Sequence, residues 1–180
     1  ALRFTDPVPR LVHPFGPVAR ADARVLILGS MPGVASLAAN QYYAHPRNQF
    51  WPLMGRLFDA GPERPYAERL IRLQAAGLAL WDVISSCERP GSLDADIRDA
   101  VPNDLAGLLH RCPQIHTLAC NGQASARLLR PLWPALEAAA GGPLRLLVLP
   151  STSPAHAARS FAEKLRAWRA LTAPSTPGPR

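Results

Sequence analysis

Two stretches of this chain combine residue types that can act on a substrate. The first reads Gly29-Ser30-Met31-Pro32-Gly33 and resumes at Tyr42-Tyr43-Ala44-His45-Pro46-Arg47-Asn48-Gln49-Phe50-Trp51. Gly29 and Gly33 permit close approach of backbone to a ligand, and amides exposed in such a turn can hold an oxyanion. Two aromatic rings, a histidine, an arginine and an asparagine then fall within seven residues. Those types can stack on a base, neutralise a phosphate and orient a water. The same string also suits an Ω-loop tied down by its own aromatics. The second stretch is Pro150-Ser151-Thr152-Ser153-Pro154-Ala155-His156. Its hydroxyls either cap a helix or grip a phosphate together with neighbouring amides, and the turn is expected to leave His156 near solvent.

Four apolar runs must position these stretches, at residues 24–28, 78–83, 115–119 and 144–149. None alternates, which suits strands buried on both faces of a parallel sheet. Helical patterns separate them at 49–58, 66–76, 102–110, 123–130 and 134–140, and another closes the chain at 157–171. Gly77 and the Gly141-Gly142 pair act as helix stops, and Asn103 or Pro102 stands near the start of the third pattern. Alternating strands and helices with right-handed crossovers imply an α/β fold, a three-layer α/β/α sandwich around a four-stranded parallel sheet. Ligands of such sheets bind beyond the carboxyl ends of the strands. That rule selects residues 29–48, 84–101, 120–123 and 150–156, and puts both chemical stretches at one end of the sheet.

A chain of 180 residues buries a sufficient core without disulfide or metal staples. One domain is expected over 1–172, with 1–22 as a leader packed on it and 173–180 as a disordered tail. No stretch reaches the ~20 apolar residues that a bilayer span needs, and residues 1–20 lack the apolar core of a secretory signal. The three cysteines include no CxxC pair, so they cannot supply four thiolates to an iron–sulfur or structural zinc site. They suit a reducing compartment, and a cytoplasmic location is expected. The net charge is +7, and Lys164 is the only lysine among 20 basic residues. A polyanion partner explains that charge, as does an arginine-rich codon bias.

The strings G-S-M-P-G, Y-Y-A-H-P-R-N-Q-F-W and S-T-S-P-A-H-A together resemble the uracil-DNA glycosylase superfamily, and most nearly its hypoxanthine-DNA (deoxyinosine) glycosylase branch. The resemblance runs from about residue 24 to 171. It implies hydrolysis of the bond between a deaminated base and deoxyribose, with DNA as partner, a monomeric state and no metal or redox cofactor. Most branches carry Asn or Asp after the Gly-x of the first motif, and Met31 stands there. The uracil-specific enzymes carry His or Asn where Ser151 stands. Both departures match the deoxyinosine branch, whose catalytic asparagine corresponds to Asn48. The resemblance further implies that Tyr43 stacks on the extruded base, that Ser30 and Met31 line the base pocket, and that Asp82 stands where relatives read the base edge. Arg47, Ser151, Ser153 and His156 would meet DNA phosphates, and Ala155-His156 would supply the wedge.

Other segments read more plainly. Residues 85–92 form a polar loop facing the same end of the sheet, and Cys87 is a packing residue. Asn121-Gly122 is a strand-to-helix turn. Phe161, Leu165, Trp168 and Leu171 form a core stripe, which would turn Lys164 outward. With no lysine in the pocket, the enzyme would stop at an abasic site. Three rival readings are weighed against this one: a serine hydrolase using Ser30, His156 and Asp82, which lacks the G-x-S-x-G elbow; a non-catalytic DNA-binding module; and a uracil- or mismatch-specific glycosylase.

Overall fold

Three of the four apolar runs become strands enclosed on both faces, and the fourth becomes a half-covered edge strand. The computed structural model describes residues 8–173. Its strands are β1 (Arg10–Val12), β2 (Val25–Gly29), β3 (Leu78–Asp82), β4 (Ile84–Glu88), β5 (Arg98–Pro102), β6 (Thr117–Asn121) and β7 (Arg145–Leu149). Strands β3-β2-β6-β7 lie side by side in that order, all parallel. Leu26, Ile27, Leu28, Ala79, Leu118, Ala119 and Cys120 are wholly enclosed, while β7 at the edge is only half covered. Helices α1 (Val34–Ala39), α2 (Phe50–Phe58), α3 (Tyr66–Ala75), α4 (Leu105–Arg111), α5 (Gln123–Leu129), α6 (Trp133–Ala140) and α7 (Phe161–Trp168) flank the sheet. This is the α/β architecture expected from the sequence. The chain steps from β2 to β3 on one side and returns to β6 on the other, and the crevice opens at that reversal.

Several local expectations are corrected. Residues 84–101, read as a segment at the ligand end of the sheet with a polar loop over 85–92, hold β4 and β5, which pair antiparallel with β1 in the order β1-β4-β5. Their signal is weak because β5 is exposed along its whole length and the ladder is irregular between Ile84 and Glu88. Helix α4 starts after Asp104, whose carboxylate accepts the Gly107 N–H at 3.0 Å, and Pro102 ends β5 instead. Helix α1 follows Gly33 unforeseen, since six residues are too few to display a period. The closing helix begins at Phe161, four residues later than expected. There Ser160 and Glu163 form a capping box, with the Ser160 hydroxyl accepting the Glu163 N–H at 3.2 Å.

Leu165, Trp168 and Leu171 are buried as core, with Phe161 partly covered. Lys164 does not turn outward: it is 2% exposed, and its ammonium donates to the His156 carbonyl at 2.8 Å. A long aliphatic stem can be buried where a backbone oxygen receives its charged head. Among the described residues, no helix is long and apolar enough to cross a membrane. The leader's first seven residues and tail residues 174–180 lie outside the described residues.

Candidate active site

The carboxyl ends of β2, β3 and β6 place Gly29, Asp82 and Asn121 around one cavity of about 150 Å³. A cavity of that size accepts an aromatic ring. Ser30, Met31, Tyr43, Asn48, Ser151 and Ser153 also line it. The two stretches singled out in the sequence therefore meet in space. Arg47 lies outside the cavity on the exposed surface, and His156 faces a second, larger cavity of about 320 Å³. His156 is half-buried instead of solvated, and its Nε2 is enclosed without a partner.

Tyr43 adopts a left-handed backbone, φ 56°, which is uncommon for a residue with a Cβ. Its ring stacks on Phe50 with centroids 3.9 Å apart and planes 25° apart, so one face is backed by the core. Burial, and then the charge of Asp82, push its phenol pKa far upward. Tyr43 therefore stays a neutral ring at working pH.

Asn48 sits one residue before the N-cap of α2. Its side-chain oxygen accepts the Phe50 N–H at 2.9 Å, and its own N–H donates to the His45 carbonyl at 2.9 Å. An oxygen held this way keeps a second lone pair. The adjoining Gln49 N–H donates to the Thr152 carbonyl at 3.0 Å, which ties this turn to the Ser151–Ser153 segment. That segment is pinned again by Asn121: its amide donates to Thr152 Oγ1 at 2.9 Å and its oxygen accepts the Thr152 N–H at 3.0 Å. Gly122 follows at φ 96°, and a Cβ there would stand 3.0 Å from that of Ser151. Only glycine combines that backbone with that approach. The Ser151 and Ser153 oxygens accept the N–H groups of Ser153 and Ala155, both at 3.2 Å. Their hydroxyl protons are the donors left for an anion.

The first motif is braced from the other side. Arg89, 2% exposed, donates to the Pro32 carbonyl at 2.6 Å. Ser30 Oγ donates to Asp94 at 2.5 Å, and burial raises the Asp94 pKa while that bond opposes the rise. The sequence placed Arg89 and Asp94 in the 84–101 segment at this end of the sheet but assigned neither side chain a role, since a polar segment without periodicity does not say which side chains turn inward. The hydrolase triad does not assemble. Ser30 is bonded to Asp94, Asp82 to His13, and His156 faces the other cavity. All three cysteines are buried, and desolvation pushes the Cys120 thiol up to about 11, which suits packing.

Gly29 is tested most directly by adding a methyl group. A Cβ there would collide with Asp82 Oδ1 and come within 3.3 Å of the Tyr43 hydroxyl oxygen. His13 holds the other Asp82 oxygen at 2.7 Å, so the carboxylate cannot swing aside. Gly29→Ala is expected to lower the single-turnover rate of this site by about tenfold or more, as misplacement of site groups does. A wild-type rate in a folded Gly29→Ala protein would contradict this packing.

Residues 15–172 match the family model described as the uracil DNA glycosylase superfamily. A protein of Methanosarcina acetivorans named hypoxanthine DNA glycosylase is 32% identical over 162 residues, which cover 87% of this chain and 95% of that protein. A protein of the same name from Methanosarcina barkeri is 36% identical over 112 residues, 62% of this chain and 71% of its own length. A solution NMR structure from Methanosarcina acetivorans, provisionally assigned to the uracil DNA glycosylases, superposes with a TM-score of 0.71 at 30% identity, covering 88% of this chain and 97% of that one.

Proposed function

The chain belongs to the uracil DNA glycosylase superfamily, and from that membership we propose that it is a DNA repair glycosylase hydrolysing the N-glycosidic bond of hypoxanthine (deoxyinosine) in DNA. The observation that carries the choice of branch is Met31. This thioether, 6% exposed, lines the cavity where most branches hold a water with Asn or Asp, and Asn48 is an amide on the same cavity.

A base stacked in a duplex cannot reach such a cavity, so it must be extruded at a cost of a few kcal/mol, less at a mispair. Arg47, Ser151, Ser153 and His156 are assigned to the phosphates. The open face of Tyr43 is assigned to the extruded ring, where stacking contributes about 1–3 kcal/mol. Bond cleavage builds positive charge on the sugar and negative charge on the leaving base. The backbone N–H groups of Ser30, Met31 and Gly33 are assigned to the latter. Asn48 orients the attacking water; an amide is too weak a base to ionise it, so its contribution is placement and electrostatics. Asp82 accepts from the lactam N–H of hypoxanthine, where adenine presents a bare nitrogen, and the mismatched pair leaves a buried polar group without a partner.

The test is a cleavage panel with hypoxanthine, uracil and xanthine opposite each normal base and in single strands. Fastest release of hypoxanthine is expected. Uracil as the preferred base would shift the reading to the uracil- or mismatch-specific enzymes, and binding with no release of any base would leave a DNA-binding module.

A further inference from the structure

The segment ahead of the parallel sheet reaches the active-site floor through one side chain. His13 Nε2 lies 2.7 Å from Asp82 Oδ2, and the two side chains are 2% and 5% exposed. The other ring nitrogen, Nδ1, accepts the Phe15 N–H at 3.4 Å. A nitrogen that accepts carries no proton, so the proton of the neutral ring sits on Nε2 and is donated to Asp82. The ring is caged edge-on by Phe15, 4.6 Å between centroids, with Tyr42 at 6.0 Å. Its backbone is anchored as well. The His13 N–H donates to the Ser85 carbonyl at 2.7 Å, β1 pairs with β4, and Val18 exchanges two hydrogen bonds with Leu80, each 2.9 Å.

We infer that His13 is a positioning residue that holds Asp82 with Oδ1 turned to the cavity as an acceptor and so sets the preference for bases presenting an N–H at the ring edge. A carboxylate that receives the imidazole N–H on one oxygen has only lone pairs to offer on the other. That other oxygen, Oδ1, overhangs the α-carbon of Gly29, where both residues line the cavity. Without that donor the carboxylate loses the contact that fixes its rotation, and Oδ1 is no longer held toward the base. The pairing thus fixes which acceptor is offered to the substrate, and where.

This inference rests on the proposed role of Asp82 as reader of the base edge, and the experiment separates the two. Single-turnover release of hypoxanthine is compared with release of purine from 2′-deoxynebularine, whose ring carries no N–H, in otherwise identical duplexes. Wild type, His13→Phe, His13→Gln and Asp82→Ala are measured, with thermal midpoints for each. His13→Phe keeps the aromatic cage and is expected to shrink the hypoxanthine-to-purine ratio about tenfold or more. His13→Gln, whose amide N–H extends toward Asp82, should recover the ratio to within about threefold of wild type. A proportional fall in both rates at constant ratio would reduce His13 to a structural role and overturn the inference. An unchanged ratio in His13→Phe beside a collapsed ratio in Asp82→Ala would also overturn it. An unchanged ratio in both would remove the Asp82 assignment itself. Should His13→Phe fail to fold, His13→Asn, with an amide too short to reach Asp82, takes its place under the same outcomes.

Discussion

Replacing Asn48 with alanine is expected to lower the single-turnover rate of base release by about two orders of magnitude, the usual loss for one preorganised polar group. Affinity for the damaged duplex should stay within about threefold, because phosphate contacts dominate binding. Two features make the effect large. Met31 offers neither a useful donor nor an acceptor, and the other amide on the cavity, Asn121, has both its ends engaged by Thr152. The Asn48 oxygen is also held by the Phe50 N–H at 2.9 Å, which fixes the orientation of its remaining lone pair before substrate arrives. The same bond gives the residue a structural share, since losing such an acceptor ahead of a helix costs about 1 kcal/mol. Asn48→Ser separates the two roles: its hydroxyl can still accept at the helix start but is shorter by one atom group. Asn48→Ser should therefore melt close to wild type and still be slow. A near-wild-type rate in Asn48→Ala would remove the residue from the chemistry.

The second large effect is an all-or-none outcome: the product is expected to be an intact abasic site. Strand cleavage by a glycosylase ordinarily proceeds through a Schiff base between an amine and the sugar aldehyde. Lys164 is the only lysine in the sequence. Burial lowers its pKa, which by itself would favour a nucleophilic amine. Position decides against it. The ammonium is enclosed at 2% exposure, bound to the His156 carbonyl at 2.8 Å, and lines neither cavity described above. Its work is to anchor the turn that carries Ser151 to His156. Borohydride is expected to trap no covalent protein–DNA complex, and the strand should stay uncut until hot alkali or a separate endonuclease acts. A trapped adduct with matching cleavage before alkali would assign Lys164 a chemical role.

Lys164 stays out of the pocket for a different reason than its place in the sequence suggests. From the sequence, the residue sits beside an apolar stripe on a helix assumed to begin at residue 157, and a polar side chain there points to water. The helix instead begins at Phe161, and the stem of Lys164 packs inward. Periodicity locates a face to within a residue or so, but it cannot tell whether a buried backbone oxygen waits at the end of a long side chain.

The information legible along the chain is local in nature. Uniform apolar runs locate the four parallel strands, because a strand buried on both faces needs no alternation. Turn residues at strand ends locate the ligand end of the sheet, and three short motifs carry the family. Tertiary structure alone decided the pairing of groups far apart in the chain. His13 meets Asp82 across 69 residues, Ser30 meets Asp94 across 64, and Arg89 meets Pro32 across 57. Strand β5 is in the same class, since it is exposed at every residue and held by its ladder with β4 and by the Arg10–Asp99 ion pair. The physical reason is common to all of them. Apolar burial is non-directional and leaves a periodic trace in the sequence, whereas an enclosed polar group must find a specific partner, and which partner is near is settled only once the chain has closed around it.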